Sequence, residues 1–182
     1  MRYKFKTKPY KHQLDVFERS WNKDVFASFM EMGTGKSKIL LDNIGILYDH
    51  GKINAALIVA PKGVCNTWYK EQIPTHLPGH IDHKVLLWNP SLSQKMKKDL
   101  TDICDPGSPK LHLMIMNVEA LSTQKGMKFA SHFLSVRKVL FAIDESTTIK
   151  NPKALRTKNI IKLGEHITYK RILTGSDRKS VV

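Results

Sequence analysis

Val25-Phe26-Ala27-Ser28-Phe29-Met30-Glu31-Met32-Gly33-Thr34-Gly35-Lys36-Ser37 sets an apolar run directly against a glycine-bearing turn, a lysine and a hydroxyl. The run over 25–30 predicts a strand. Over 36–50, Ile39, Leu40, Ile44, Leu47 and Tyr48 recur at helical spacing, and Gly51 supplies the stop. Glycines between a strand and a helix let consecutive backbone N–H groups turn inward on an anion, and the helix N-terminus adds its partial positive charge. A loop of that shape suits the phosphates of ATP, cradled by Met32, Gly33, Thr34 and Gly35. Lys36 would reach the β- and γ-phosphates, and the Ser37 hydroxyl would ligate Mg2+. The G-x-x-x-x-G-K-[ST] pattern is incomplete, because Met30 stands at its first glycine. The competing reading is a glycine turn that merely starts a helix.

Further runs rich in β-branched or aromatic residues occupy 55–60, 84–88, 111–116, 139–143 and 169–174. Near-continuous apolarity marks strands buried on both faces of a parallel sheet. Mixed segments at 64–72, 91–103, 127–134 and 153–163 are helix candidates. Strand–helix alternation predicts an α/β fold, a mostly parallel doubly wound sheet with helices on both faces and right-handed crossovers. In such folds ligands gather at the carboxyl ends of the strands, so the residues just after each run carry the interest. No repeat, low-complexity tract or linker interrupts the pattern, and 182 residues suit one domain.

Thirty Lys and Arg against sixteen Asp and Glu give a net charge of +14. That excess attracts polyanions, nucleic acid foremost, although ribosome-associated and membrane-surface proteins share it. Cys65 and Cys104 each lack a nearby metal-ligand partner, the usage of a reducing compartment. No apolar run approaches a membrane span, and none follows the basic N-terminus as a signal peptide would require. The expected location is cytoplasmic, the host cytoplasm for a phage protein, with no membrane partner.

The run 139–143 delivers Asp144-Glu145 at its carboxyl end. Adjacent acids after an all-apolar strand are costly unless they face a cation. In enzymes with a phosphate loop such an Asp holds Mg2+, and a neighbouring acid orients and deprotonates the attacking water. Lys36, Asp144 and Glu145 are therefore the expected catalytic set. An ordinary helix start is the alternative, since Ser146 and Thr147 follow.

With these residues the chain resembles helicase superfamily two, and within it the Swi/Snf-type DNA translocases, over 9–176. Their loop reads D-E-M-G-x-G-K-[ST], and Met30 replaces its leading acid. Pro9-Tyr10-Lys11-His12-Gln13-Leu14 is similar to the motif whose glutamine reads the adenine edge, which implies Gln13 in that role. Leu57-Ile58-Val59-Ala60-Pro61-Lys62, with Trp68 and Glu71 after it, resembles a segment that contacts the nucleic-acid backbone. Ile115-Met116-Asn117-Val118-Glu119-Ala120-Leu121 resembles the next motif on that side. Asp144-Glu145-Ser146-Thr147, then Ile149-Lys150-Asn151-Pro152, resembles the D-E-[SG]-H box with its trailing K-N. Ile172-Leu173-Thr174-Gly175-Ser176 resembles L-T-G-T-P, which couples nucleotide state to strand grip, so Thr174, Gly175 and Ser176 are the implied coupling residues.

The resemblance implies a RecA-like ATP-binding lobe over 1–176 that couples ATP hydrolysis to movement on DNA, double-stranded by preference, with RNA as the alternative. Pro61, Lys62, Asn117, Lys150 and Arg156 are the expected nucleic-acid contacts. Two departures stand out. Thr147 replaces the family's usual His, which links hydrolysis to DNA. Beyond Ser176, residues 177–182 match nothing in the family and coincide with the translation of a common sequencing-adapter stem, so a non-native tail is expected there. A second RecA-like lobe with its arginine finger is expected in the intact protein, and such fingers contribute about 10³–10⁵ in rate. The lobe alone would turn over very little. A strand-separating helicase, a restriction-type motor subunit and a nucleotide-dependent DNA-binding switch without turnover remain as alternatives.

Weaker signals read more plainly. Trp68 would stack a base or fill the core, and its helical spacing from Val64 favours the core. His76, His80 and His83 form no zinc set, because Pro74, Pro78 and Gly79 are expected to break the helix aligning them. Asp99, Asp102 and Asp105 read as solvated acids at a helix end.

Overall fold

The computed structural model describes residues 3–91, 94–145, 149 and 151–175. Thr147, Lys150, Ser176 and the tail at 177–182 lie outside the described residues. Six strands form one sheet: β1 (Val25–Phe29), β2 (Ala55–Ala60), β3 (His83–Leu87), β4 (Leu111–Asn117), β5 (Val139–Asp144) and β6 (Tyr169–Thr174). All their pairings are parallel, in the order β1-β6-β5-β2-β4-β3. Every strand lies within one residue of its expected bounds. The central strands β2 and β4 are buried almost throughout, which is why they read as unbroken apolar runs.

Helices cover both faces of the sheet. On one face α2 (Lys36–Asp49) packs Leu40, Leu41, Ile44 and Leu47 against Ile58, Leu113, Leu140 and Leu173. A helical segment over 62–76 joins it there through Trp68 and Ile73. On the other face α5 (Gln94–Ile103), α6 (Gln124–Val136) and α7 (Leu155–Gly164) bring Ile103, Phe133, Ile160 and Leu163 onto Leu57, Met114 and Phe141. A 3₁₀ turn at Val118–Ser122 links β4 to α6.

One helix gave no hydropathy signal, and one local expectation is corrected. Lys11–Ser20 forms a helix, α1, that hydropathy conceals, because its buried stripe is Gln13, Phe17 and Ser20, two of them polar. The break expected at Pro74 does not occur. The segment runs as α3 (Lys62–Thr67), a π turn (Trp68–Gln72) and α4 (Ile73–His76). In the wide turn the Ile73 N–H donates to the Trp68 carbonyl, and Pro74 falls in the first turn of α4, where a missing donor is tolerated.

Register then aligns the strand ends. Phe29 pairs with Thr174, Leu173 with Asp144, Ile143 with Val59, and Ala60 with Asn117. Five strands thus finish along one edge, each followed by a segment singled out in the sequence.

Candidate nucleotide site

The loop after β1 is shaped by two left-handed glycines, Gly33 (φ 77°) and Gly35 (φ 88°). Gly35 also caps α2, so the first amides of that helix open onto the loop. Thr34 Oγ1 donates to the Glu31 carbonyl at 2.7 Å and closes the turn. Lys36 Nζ folds back onto the Met30 and Glu31 carbonyls at 3.0 and 2.9 Å. Among the described residues its amine is held over the loop by neutral carbonyls, contacts that a phosphate oxygen would outcompete.

Gln13 enters from α1. Its Nε2 donates to the Thr34 carbonyl at 3.0 Å, and its Oε1 accepts from the Tyr10 N–H at 3.0 Å. An amide has two donor hydrogens and two acceptor lone pairs, so each end keeps one for a further partner. His12 Nε2 also lies 3.1 Å from the Thr34 carbonyl. A cleft of about 540 Å³ opens beside them, walled by Thr7, Pro9, Tyr10, Gln13, Gly35 and His76.

Across the edge, β6 ends at the buried Thr174, whose carbonyl accepts from the Met30 N–H at 3.3 Å. Gly175 follows against the loop, and a β-carbon there would sit 3.4 Å from Lys36 Nζ. One strand further, Asp144 Oδ2 accepts a hydrogen bond from Trp68 Nε1 at 2.8 Å. Burial pushes the Asp144 carboxyl above its ordinary range against the Trp68 hydrogen bond and the Glu145 backbone N–H; the Glu145 charge adds to the rise and the Lys36 charge opposes it. A carboxylate so placed is stabilised by an added cation. Glu145 adopts a left-handed backbone (φ 55°), unusual for a residue with a side chain and of a kind that concentrates at functional sites.

Of the residues expected to touch nucleic acid, Pro61, Lys62 and Asn117 lie at this sheet edge. Pro61 caps α3 and Lys62 is its exposed first residue. Asn117 closes β4, with Nδ2 donating to Glu119 Oε2 at 3.0 Å. Arg156 lies in α7, which is tied to the 3₁₀ turn after Asn117 through Asn159 Nδ2 and the Leu121 carbonyl at 2.6 Å. Arg156 Nε is buried and unpartnered among the described residues.

Trp68 is fully buried, as the core reading holds and stacking on a base does not allow. Its bond to Asp144 had no signal in the sequence. His76, His80 and His83 engage separate partners, Thr7 Oγ1, Asp49 and the Ile81 carbonyl. Asp102 and Asp99 meet Lys84 at 3.0 and 3.9 Å. No helix among the described residues is long and apolar enough to cross a membrane.

No protein-family model matches the chain, and no curated protein does. Solved structures do. The chain is similar to the Sulfolobus solfataricus SWI2/SNF2 ATPase core in complex with dsDNA, with a TM-score of 0.68 and 16% identity, over 99% of this chain and 34% of that one. It is also similar to the UvsW helicase from Bacteriophage T4, with a TM-score of 0.62 and 15% identity, over 93% of this chain and 53% of that one. The chain thus spans about a third and about half of these two proteins. At such identities the likeness concerns the fold: a six-stranded, all-parallel α/β sheet of the RecA-like helicase-lobe kind.

Proposed function

We propose that this chain is the ATP-binding lobe of a DNA-dependent ATPase that couples hydrolysis to movement along DNA, double-stranded by preference. The observation that carries the reading is the convergence of Lys36, Gly175 and Asp144 at one sheet edge through the β1-β6-β5 order. The loop amides and Lys36 would bind the phosphates, Ser37 and Asp144 would hold Mg2+, and Gln13 would read the adenine. Glu145 would orient the attacking water and accept its proton. Bound Mg2+ supplies charge neutralisation across the phosphates.

Lys62, Asn117 and Arg156 then lie on the side where a phosphate backbone would run, and contacts of that kind give salt-dependent, sequence-independent affinity. The net charge of +14 favours the same partner. Thr174 and Gly175, between the loop and Asp144, would report nucleotide state. A second RecA-like lobe would complete the catalytic site with an arginine. Two free, buried cysteines suit the cytoplasm.

Phosphate release by the intact gene product, with and without duplex DNA, tests the reading beside Lys36→Ala and Glu145→Gln. DNA-stimulated release that both substitutions abolish is expected. Release that DNA never stimulates, and that both variants retain, would sink it.

A further inference from the structure

Trp68 is fully buried, yet its indole N–H meets Asp144 Oδ2 at 2.8 Å. An indole donates and cannot accept, so this bond requires an acceptor oxygen and occupies one lone pair of Oδ2. The Glu145 backbone N–H also meets this carboxylate, whose four lone pairs still leave room for a cation. Trp68 begins the π turn, and π turns inserted in a helix recur at functional sites. The insertion carries the chain into Pro74 without a break and sets the indole beneath the end of β5. Upstream, Cys65 Sγ lies 3.4 Å from the Pro61 carbonyl and 3.7 Å from that of Ala60, tying the same helix to the end of β2.

We propose that Trp68 is a positioning residue for the nucleotide-bound cation: its N–H orients the Asp144 carboxylate so that lone pairs the indole does not use face the metal. This rests on the nucleotide-site reading above and adds a residue to it. Partners that hold a ligating group in place typically change metal affinity about 10–100-fold when lost. In Trp68→Phe the ring still fills much of the space, but Oδ2 loses its indole donor, so the carboxylate is freer to turn away from the cation.

Calorimetric titration of this chain with AMP-PNP, once in Mg2+ and once in EDTA, measures the gain in affinity that Mg2+ confers. Trp68→Phe is expected to cut that gain about tenfold while leaving affinity in EDTA within about twofold of wild type. Trp88→Phe removes another buried indole, stacked on Phe129 at 5.2 Å, and should leave both affinities unchanged. A full gain in Trp68→Phe overturns the inference, and so does an equal loss with and without Mg2+, the mark of a merely structural role. A wild type with no nucleotide affinity in either buffer overturns the nucleotide-site reading, and this inference with it.

Should Trp68→Phe not fold, the wild-type indole N–H resonances decide the matter. The Trp68 signal, assigned by elimination from Trp21→Phe and Trp88→Phe, should shift when Mg2+ is added to nucleotide-bound protein. A stationary signal overturns the inference.

Discussion

Gly175 lies directly against Lys36: a β-carbon on the glycine would sit 3.4 Å from the lysine Nζ and 3.1 Å from Met32 Cγ. The two residues meet because β1 and β6 pair in parallel, with Phe29 beside Thr174. Gly175→Ala should therefore crowd the amine and the loop without disturbing the core. Nucleotide affinity is expected to fall about tenfold, near 1.4 kcal/mol, with unfolding free energy changed by under about 0.5 kcal/mol. Calorimetry beside urea denaturation checks both, and unchanged affinity would show that the loop gives way freely.

The two left-handed glycines of the loop should respond differently to substitution. A β-carbon on Gly33 meets nothing within 4 Å, whereas one on Gly35 collides with Gln13 Nε2. Gly33→Ala is expected to cost about 1 kcal/mol from backbone conformation alone. Gly35→Ala should cost more, about 2–3 kcal/mol, because it also displaces the Gln13 bond to Thr34. Urea midpoints of the two variants give the ordering, and equal midpoints would contradict it.

Arg171 carries a buried positive charge with no acidic side chain among its hydrogen-bond partners in the described residues. Its guanidinium donates to Asn43 Oδ1 at 2.9 Å and to the Ser20 and Asp24 carbonyls at 2.8 and 3.2 Å, fastening the end of α1 and the start of β1 to β6. Burial pushes its pKa down to about 10. A lysine keeps the charge but cannot span that fork of acceptors. Arg171→Lys is expected to destabilise by about 3 kcal/mol in denaturant titration.

His112 is fully buried between Arg137 Nη2 and Ser108 Oγ, and burial, aided by the Arg137 charge, lowers its pKa to about 4. A depressed histidine stays neutral in the folded state while the unfolded chain takes up the proton. Its contribution is thus fully present at pH 7 and is lost as pH falls from about 6.5 toward 4, at about 1.4 kcal/mol per pH unit. Burial holds His76 down as well, adding in the same sense. Replacing His112 with Gln should flatten the stability profile between pH 6 and about 4.5. An unchanged slope would place the acid sensitivity elsewhere.

Much of this was legible in one dimension. Strands buried on both faces must be almost wholly apolar, so β2, β4 and β5 announce themselves, and the polar residues that end them stand out by contrast. Asp144 was located that way, whereas Lys36 came from the glycine loop and Asn117 from the family resemblance. Where burial is polar the signal fails. Gln13 and Ser20 hide α1, although Gln13 is the residue that braces the loop. Pro74 suggested a break that a single wide turn removes.

Local chemistry along the chain was enough for the strand runs, the glycine loop and the acids after β5, since each follows from the needs of neighbouring residues. The spatial order β1-β6-β5-β2-β4-β3 belongs to no local pattern, because it depends on which crossover packs over which face. That order alone brings Gly175 to Lys36. Helix packing beneath the sheet alone brings the Trp68 indole to Asp144. Both contacts are set by residues distant in the chain, through packing that only the assembled sheet and its helices decide.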